Sequence, residues 1–269
     1  MPVPVTFLGI EVLTAVLFVG CCWFAWQRGS QWLGAMLGAT GFGLLVEVLF
    51  VTTLQGYCYG EFLMMVPVGD ATVPLWVALG WGIIMFSAMA ATEDLALGPV
   101  QKALATGLLT MVLDLALDPI AQDQAWWTWG NLRPGDYFGV PYDNFIGWIL
   151  IVGSYSGFVR LGWRRMRPGW MRVVLTPTVS VVLALLFVAC ATMVLDKGLY
   201  PVLGEALTCV HAKTPLPPYV LGVPAALGGY LIILAPLAEN PALIAVIPTA
   251  AALALLMFFW PWRGDGRAG

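Results

Sequence analysis

Long uninterrupted runs of apolar residues, too long and too uniform for a striped or alternating core, decide which solvent this chain can fold in. The segments 5–26, 32–54, 73–92, 103–121, 144–162, 173–195, 218–237 and 241–260 each approach the length that a bilayer's hydrocarbon core requires. Composition agrees: 60% of the 269 residues are hydrophobic and only 10% are charged, far below what a water-facing surface needs. The expected fold class is therefore all-α, a polytopic membrane helix bundle of about eight transmembrane helices, or seven if one segment fails to cross. No linker, low-complexity tract or internal repeat divides it, so residues 1–269 read as a single integral membrane domain.

A net charge of -3 and the lack of a broad basic surface argue against nucleic-acid binding. Five cysteines without CxxC spacing and a lone histidine, His211, give no zinc or haem signature. The first apolar run has no basic residue ahead of it and no small-residue cleavage site. It reads as a retained span rather than a signal peptide. Arg160, Arg164, Arg165, Arg167 and Arg172 cluster between the fifth and sixth segments, which places that connection in the cytoplasm by the positive-inside rule. The expected location is the cell's inner (plasma) membrane, crossed several times. Cys58 and Cys209 then share the external side, where they would pair in an oxidising compartment or remain free thiols. Glu93 and Asp94 read as the solvated end of the third span.

Because successive spans alternate in direction, depth follows from position within each run. Glu11 lies early in the first segment and Glu47 late in the second. Asp114 and Asp118 lie late in the fourth, and Asn144 opens the fifth. All five fall in one half of the membrane, where an unpaired carboxylate costs several kcal/mol. Asp114 and Asp118 share one helix face, a turn apart. Two like charges so close in a poor solvent cannot both ionise cheaply, and a protonated carboxyl beside an ionised one suits general acid–base work. Each carboxylate also has a plainer reading. Asp118 precedes Pro119 and could end its helix, and Glu11 is shallow enough to meet interfacial water. The same acids could also serve a proton or ion pathway.

The following loop is dense in rings and turns: Trp126-Trp127-Thr128-Trp129-Gly130, then Gly135-Asp136-Tyr137-Phe138-Gly139-Val140-Pro141. An interfacial aromatic belt explains scattered rings. A concentrated set directly after paired aspartates also suits stabilisation of a cation by aromatic faces. Gly34, Gly38, Gly41 and Gly43 would let helices approach closely, or Gly43 would leave room beside Glu47 for a substrate.

These motifs resemble those of the membrane-bound carotenoid biosynthesis proteins, the family of γ-carotene 1′-hydratases and of C50 carotenoid, bisanhydrobacterioruberin-type hydratases. The resemblance rests on Phe42-Gly43-Leu44-Leu45-Val46-Glu47 with Tyr57 and Tyr59. It rests more firmly on the stretch from Asp114 through Asp118-Pro119, Trp127-Thr128-Trp129, Tyr137-Phe138-Gly139-Val140-Pro141 and Asn144-Phe145-Ile146-Gly147-Trp148. It implies a hydro-lyase that needs no cofactor or metal and adds water across a terminal 1,2 double bond of an acyclic end group. Asp114 and Asp118 would be acid and base, with Glu47 positioning water. Asn144 would hydrogen-bond the acids. Trp127, Trp129, Tyr137, Tyr57, Tyr59 and Glu11 would line the substrate site. The partners implied are a lipophilic polyene, membrane lipid and other carotenoid pathway enzymes.

Three rivals can be weighed on residues. A retinal protein needs a mid-span lysine, whereas Lys102, Lys197 and Lys213 lie at span ends or in loops. A carotenoid end-group cyclase would use the same acid, with an internal double bond rather than water capturing the cation. A proton-coupled transporter would show paired broken helices in symmetric halves, and none is evident.

Overall fold

A computed structural model describes residues 5–54, 57–130, 136–167 and 169–199. The expected spans at 218–237 and 241–260, together with Cys209 and His211, lie outside the described residues. Within them the chain forms helices α1 (Val5–Arg28), α2 (Ser30–Leu49), α3 (Leu75–Glu93), α4 (Pro99–Asp123), α5 (Tyr142–Arg165) and α6 (Thr176–Leu199). Among the described residues, six helical stretches are long and apolar enough to cross a membrane. The architecture is a polytopic membrane helix bundle, with four short strands among the described residues. Helices suit this solvent because each satisfies its own backbone hydrogen bonds where lipid offers none.

The first six expected spans correspond to these helices, with the ends displaced by a few residues. The third begins later than expected because Met65–Val68 (β2) and Ala71–Pro74 (β3) form an antiparallel hairpin before α3. Its tight turn uses Gly69 at φ 59°, a backbone conformation that glycine adopts without steric cost. The fourth runs past Pro119 to Asp123, so Asp118-Pro119 does not end its helix. Proline removes one N–H and leaves the Leu115 carbonyl without its usual donor. In a bundle, neighbouring helices let such a break persist.

Helix α3 is the most enclosed, with Trp76, Trp81, Met85, Phe86 and Met89 all buried. It packs against α1, α2 and α4, while α4 packs on α5 and α5 on α6. The outer helices expose Val12, Val16 and Val19 on α1 and Val182 and Leu186 on α6. Acyl chains suit such surfaces as well as a protein core would. Gly34 approaches the backbone of Val173 too closely to admit a side chain, and Gly38 abuts Tyr155 and Pro177. Gly41, expected to do the same, has nothing nearby.

The expectation that Arg160 belongs to a solvated basic loop is corrected. It lies inside α5 and is buried. Its Nε donates to Glu93 Oε2 at 2.9 Å and its Nη1 to Thr106 Oγ1 at 3.1 Å. Its Nη2 donates to Met89 O at 3.0 Å and Thr92 Oγ1 at 2.8 Å. Glu93 also pairs with Lys102 at 3.8 Å, so it is a structural partner rather than a free solvated end. Guanidinium burial is tolerable here because acceptors from α3 and α4 meet most of its donors. Arg160→Ala is expected to cost about 1–3 kcal/mol, since it removes the charged donor shared by Glu93, Met89 O and the two threonines while Glu93 keeps Lys102. Thermal unfolding of the detergent-purified protein measures this; an unchanged midpoint would show that the network contributes nothing to stability.

Candidate active site

At the other end of the bundle, three segments distant in sequence converge on the intramembrane acids. Helix α2 carries Glu47 two residues before its end, where the backbone passes into a π-helical turn, Phe50–Leu54. Such turns widen a helix and recur at functional sites. The chain then forms Tyr57–Tyr59 (β1), which pairs antiparallel with Trp127–Trp129 (β4) beyond the end of α4. The register sets Tyr57 opposite Trp129, Cys58 opposite Thr128 and Tyr59 opposite Trp127. Alternation along each strand puts both tyrosines and both tryptophans on one face of this ribbon. Cys58, on the other face, is disulfide-bonded; its expected partner, Cys209, lies outside the described residues.

That aromatic face meets Glu47. The Tyr57 hydroxyl donates to Glu47 Oε2, and the Tyr59 hydroxyl donates to the same oxygen at 2.5 Å. Trp81 Nε1 donates to Oε1 at 2.7 Å. A buried carboxylate survives only when its lone pairs are met, and here three donors meet them. Burial, reinforced by the Glu47 charge, pushes both tyrosine hydroxyls well above their ordinary range. They therefore remain protonated donors at neutral pH. Trp81 is itself fixed by stacking on Trp148, with ring centroids 4.5 Å apart, and by lying directly against Gly43. The space beside Gly43 is thus taken by an indole: of the two roles open to this glycine, the structure selects close packing.

Asp114 and Asp118 are both buried on α4. Asn144, from the first turn of α5, donates its Nδ2 to Asp114 Oδ2 at 2.8 Å and also to Asp118 Oδ2. The two carboxyls are within hydrogen-bonding reach of each other. Asp114 Oδ1 accepts from no donor among the described residues. A carboxyl–carboxyl hydrogen bond exists only when one of the pair carries a proton. Asp118 also lies within electrostatic range of Glu47 and Tyr57.

The aromatic residues frame this site. Trp129 sits edge-on to Tyr57 at 4.7 Å and Trp127 to Tyr59 at 6.1 Å. Trp127 in turn stacks on Trp76 at 6.0 Å. Tyr137 lies to one side, packed with Phe138, Phe145, Val112, Leu115 and Val140. Glu11 stands apart from the acids: its carboxylate accepts the backbone N–H of Leu63 at 3.2 Å and of Met64 at 2.9 Å. It ties α1 to the segment leading into β2. Among the described residues no three His, Cys, Asp or Glu side chains converge as metal ligands.

The sequence reading had missed two residues of this site, Trp81 and Gln122. Trp81 sits within a uniformly apolar run and carries no local signal. Gln122 did carry one, because it continues the spacing from Asp114 through Asp118 by one further turn.

Comparison with known proteins agrees with this arrangement. The sequence profile described as "Carotenoid biosynthesis protein" matches residues 6–211. The chain belongs to that family. Within the carotenoid biosynthesis proteins, a curated relative named bisanhydrobacterioruberin hydratase, from Haloarcula japonica, is 28% identical over 144 residues. The match covers 49% of this chain and 47% of that protein, so the chain spans about half the length of its curated relative. No solved structure matches. The family match takes in the six membrane-length helices found among the described residues, both acidic groups and the β1–β4 ribbon.

Proposed function

We propose that this carotenoid biosynthesis protein is a hydratase that adds water to a terminal double bond of an acyclic carotenoid end group. The observation that carries the reading is the Asp114–Asp118 pair, buried in one bundle end and bridged by Asn144. The relative's name, a hydratase, supports it.

The chemistry follows from a proton shared by two carboxyls. The protonated member transfers it to the less substituted alkene carbon, leaving a tertiary cation at the neighbouring carbon. The ionised member removes a proton from water as the water oxygen bonds to that cation, giving a tertiary alcohol. Acid and base have then exchanged states. One proton passing between the hydrogen-bonded carboxyls restores the starting arrangement, so the pair needs no outside proton donor.

Glu47, expected to position water, has both oxygens committed to Tyr57, Tyr59 and Trp81. What it offers is a fixed negative charge beside the cation, an electrostatic rather than a proton-transfer role. The faces of Trp127, Trp129 and Tyr57 add cation–π stabilisation. A polyene would enter sideways from the bilayer, which suits acids held below the membrane surface.

The test is expression in a host that accumulates lycopene and γ-carotene, followed by pigment mass analysis. A product heavier by one water is the expected result. An isomer of unchanged mass with an added ring would replace the hydratase by the cyclase. Absence of any new pigment from either substrate would overturn both readings for these carotenoids.

A further inference from the structure

Gln122 continues the acid row of α4. Positions Asp114, Asp118 and Gln122 are successive i, i+4 neighbours on one helix face. The glutamine is completely enclosed, with 0% exposure. Its Oε1 accepts the backbone N–H of Trp129 at 3.0 Å. That contact fixes the amide's orientation, because a backbone N–H can face only the oxygen. The Nε2 amino group is thereby held as a donor, and it has no acceptor among the described residues. Trp129 Nε1, on the residue that holds the amide, is a second buried donor without one.

Buried amide donors are almost always satisfied, so an enclosed donor fixed in direction calls for an oxygen ligand. The strand that holds it carries the Trp129 ring against Tyr57, whose hydroxyl is bonded to Glu47 and which also interacts with Asp118. We infer that the Gln122 Nε2 amino group binds the oxygen of the attacking water, and of the tertiary alcohol it becomes, beside the aspartate pair. This rests on the hydratase reading and adds to it the residue that decides the fate of the cation. Held water captures the cation to give the alcohol. Without held water, the cation returns a proton to the carboxylate pair and reverts to alkene, either the original or an isomer with a displaced double bond. Each route balances, since the proton gained at the first step is lost at the second.

The variants that separate this role from packing are Gln122→Glu and Gln122→Met. Glutamate keeps an oxygen for the Trp129 N–H and replaces the free amino group; methionine keeps the volume and removes both. Membranes bearing each form are incubated with an acyclic carotenoid in deuterated water, and two readouts are taken. One is hydrated product; the other is deuterium in the recovered alkene, which reports protonation and reversal. Both variants are expected to lower hydrated product at least about tenfold while deuterium incorporation persists, at wild-type protein abundance. Unchanged hydration in Gln122→Glu would overturn the assignment and leave Gln122 as a support for β4. A parallel loss of hydration and exchange in both variants would also overturn it. Wild-type membranes that neither hydrate nor exchange would instead remove the hydratase reading itself, and the water-binding role with it.

Discussion

Asp114→Asn is expected to abolish hydration, lowering product by about 10²–10⁴-fold, the range that a positioned acid or base contributes. The amide keeps the shape of the carboxyl and can still meet Asn144 through its carbonyl, so the site should remain assembled. What it cannot do is carry a transferable proton. Stability should move the other way from activity. A neutral amide next to Asp118 removes one of two crowded acids from a buried position where Asp114 Oδ1 has no donor among the described residues. Two like acids crowded in a buried site disfavour each other's ionisation, and a neutral isostere at one of them relieves that conflict. The detergent-purified variant should therefore unfold at the same temperature as wild type or higher. Pigment mass analysis and thermal unfolding together check this. Hydration retained above about one tenth of wild type would exclude Asp114 from the acid–base pair.

The legible parts of this site are those encoded at short range. A carboxylate late in an apolar span announces itself, as does an i, i+4 aspartate pair. Asn144 could be assigned to the acids because two adjacent spans run in opposite directions and must meet at their joined ends. Depth arithmetic likewise put Glu47 and the aspartates at one end of the bundle, and the interaction of Glu47 with Asp118 agrees. Long-range convergence was less legible. Arg160 counted as a loop cation because basic residues crowd after it; only the approach of Thr92, Glu93 and Thr106 from two other helices makes its burial affordable. The β1–β4 ribbon is too short to show alternation, and its strands are separated by two whole helices. At Pro119 the sequence left two readings open, and the structure keeps the one in which the span continues: a packed bundle can hold a helix intact around a proline.

Glu47→Gln should fail differently from Asp114→Asn, and the contrast tests the division of labour between the two acidic groups. Glu47 Oε2 accepts two tyrosine hydroxyls and Oε1 accepts an indole N–H. Glutamine has one carbonyl oxygen, so its amino group must face either the tyrosines or Trp81. A hydroxyl can turn and accept from that amino group, but the Trp81 N–H can only donate. The amide therefore settles with its oxygen on Trp81, and the tyrosines lose the acceptor they shared. Leaving one buried donor imperfectly met costs about 1–3 kcal/mol. Removing a fixed charge from beside a developing cation costs roughly 10²–10³-fold in rate. The variant should thus lose both stability and activity, where Asp114→Asn loses activity alone. Tyr57→Phe, which removes one donor and no charge, should show a smaller loss of activity than Glu47→Gln. Full hydration by Glu47→Gln with a lowered unfolding temperature would make Glu47 a purely structural anchor for the ribbon. The cation would then be stabilised by the aromatic faces and the aspartate pair without it.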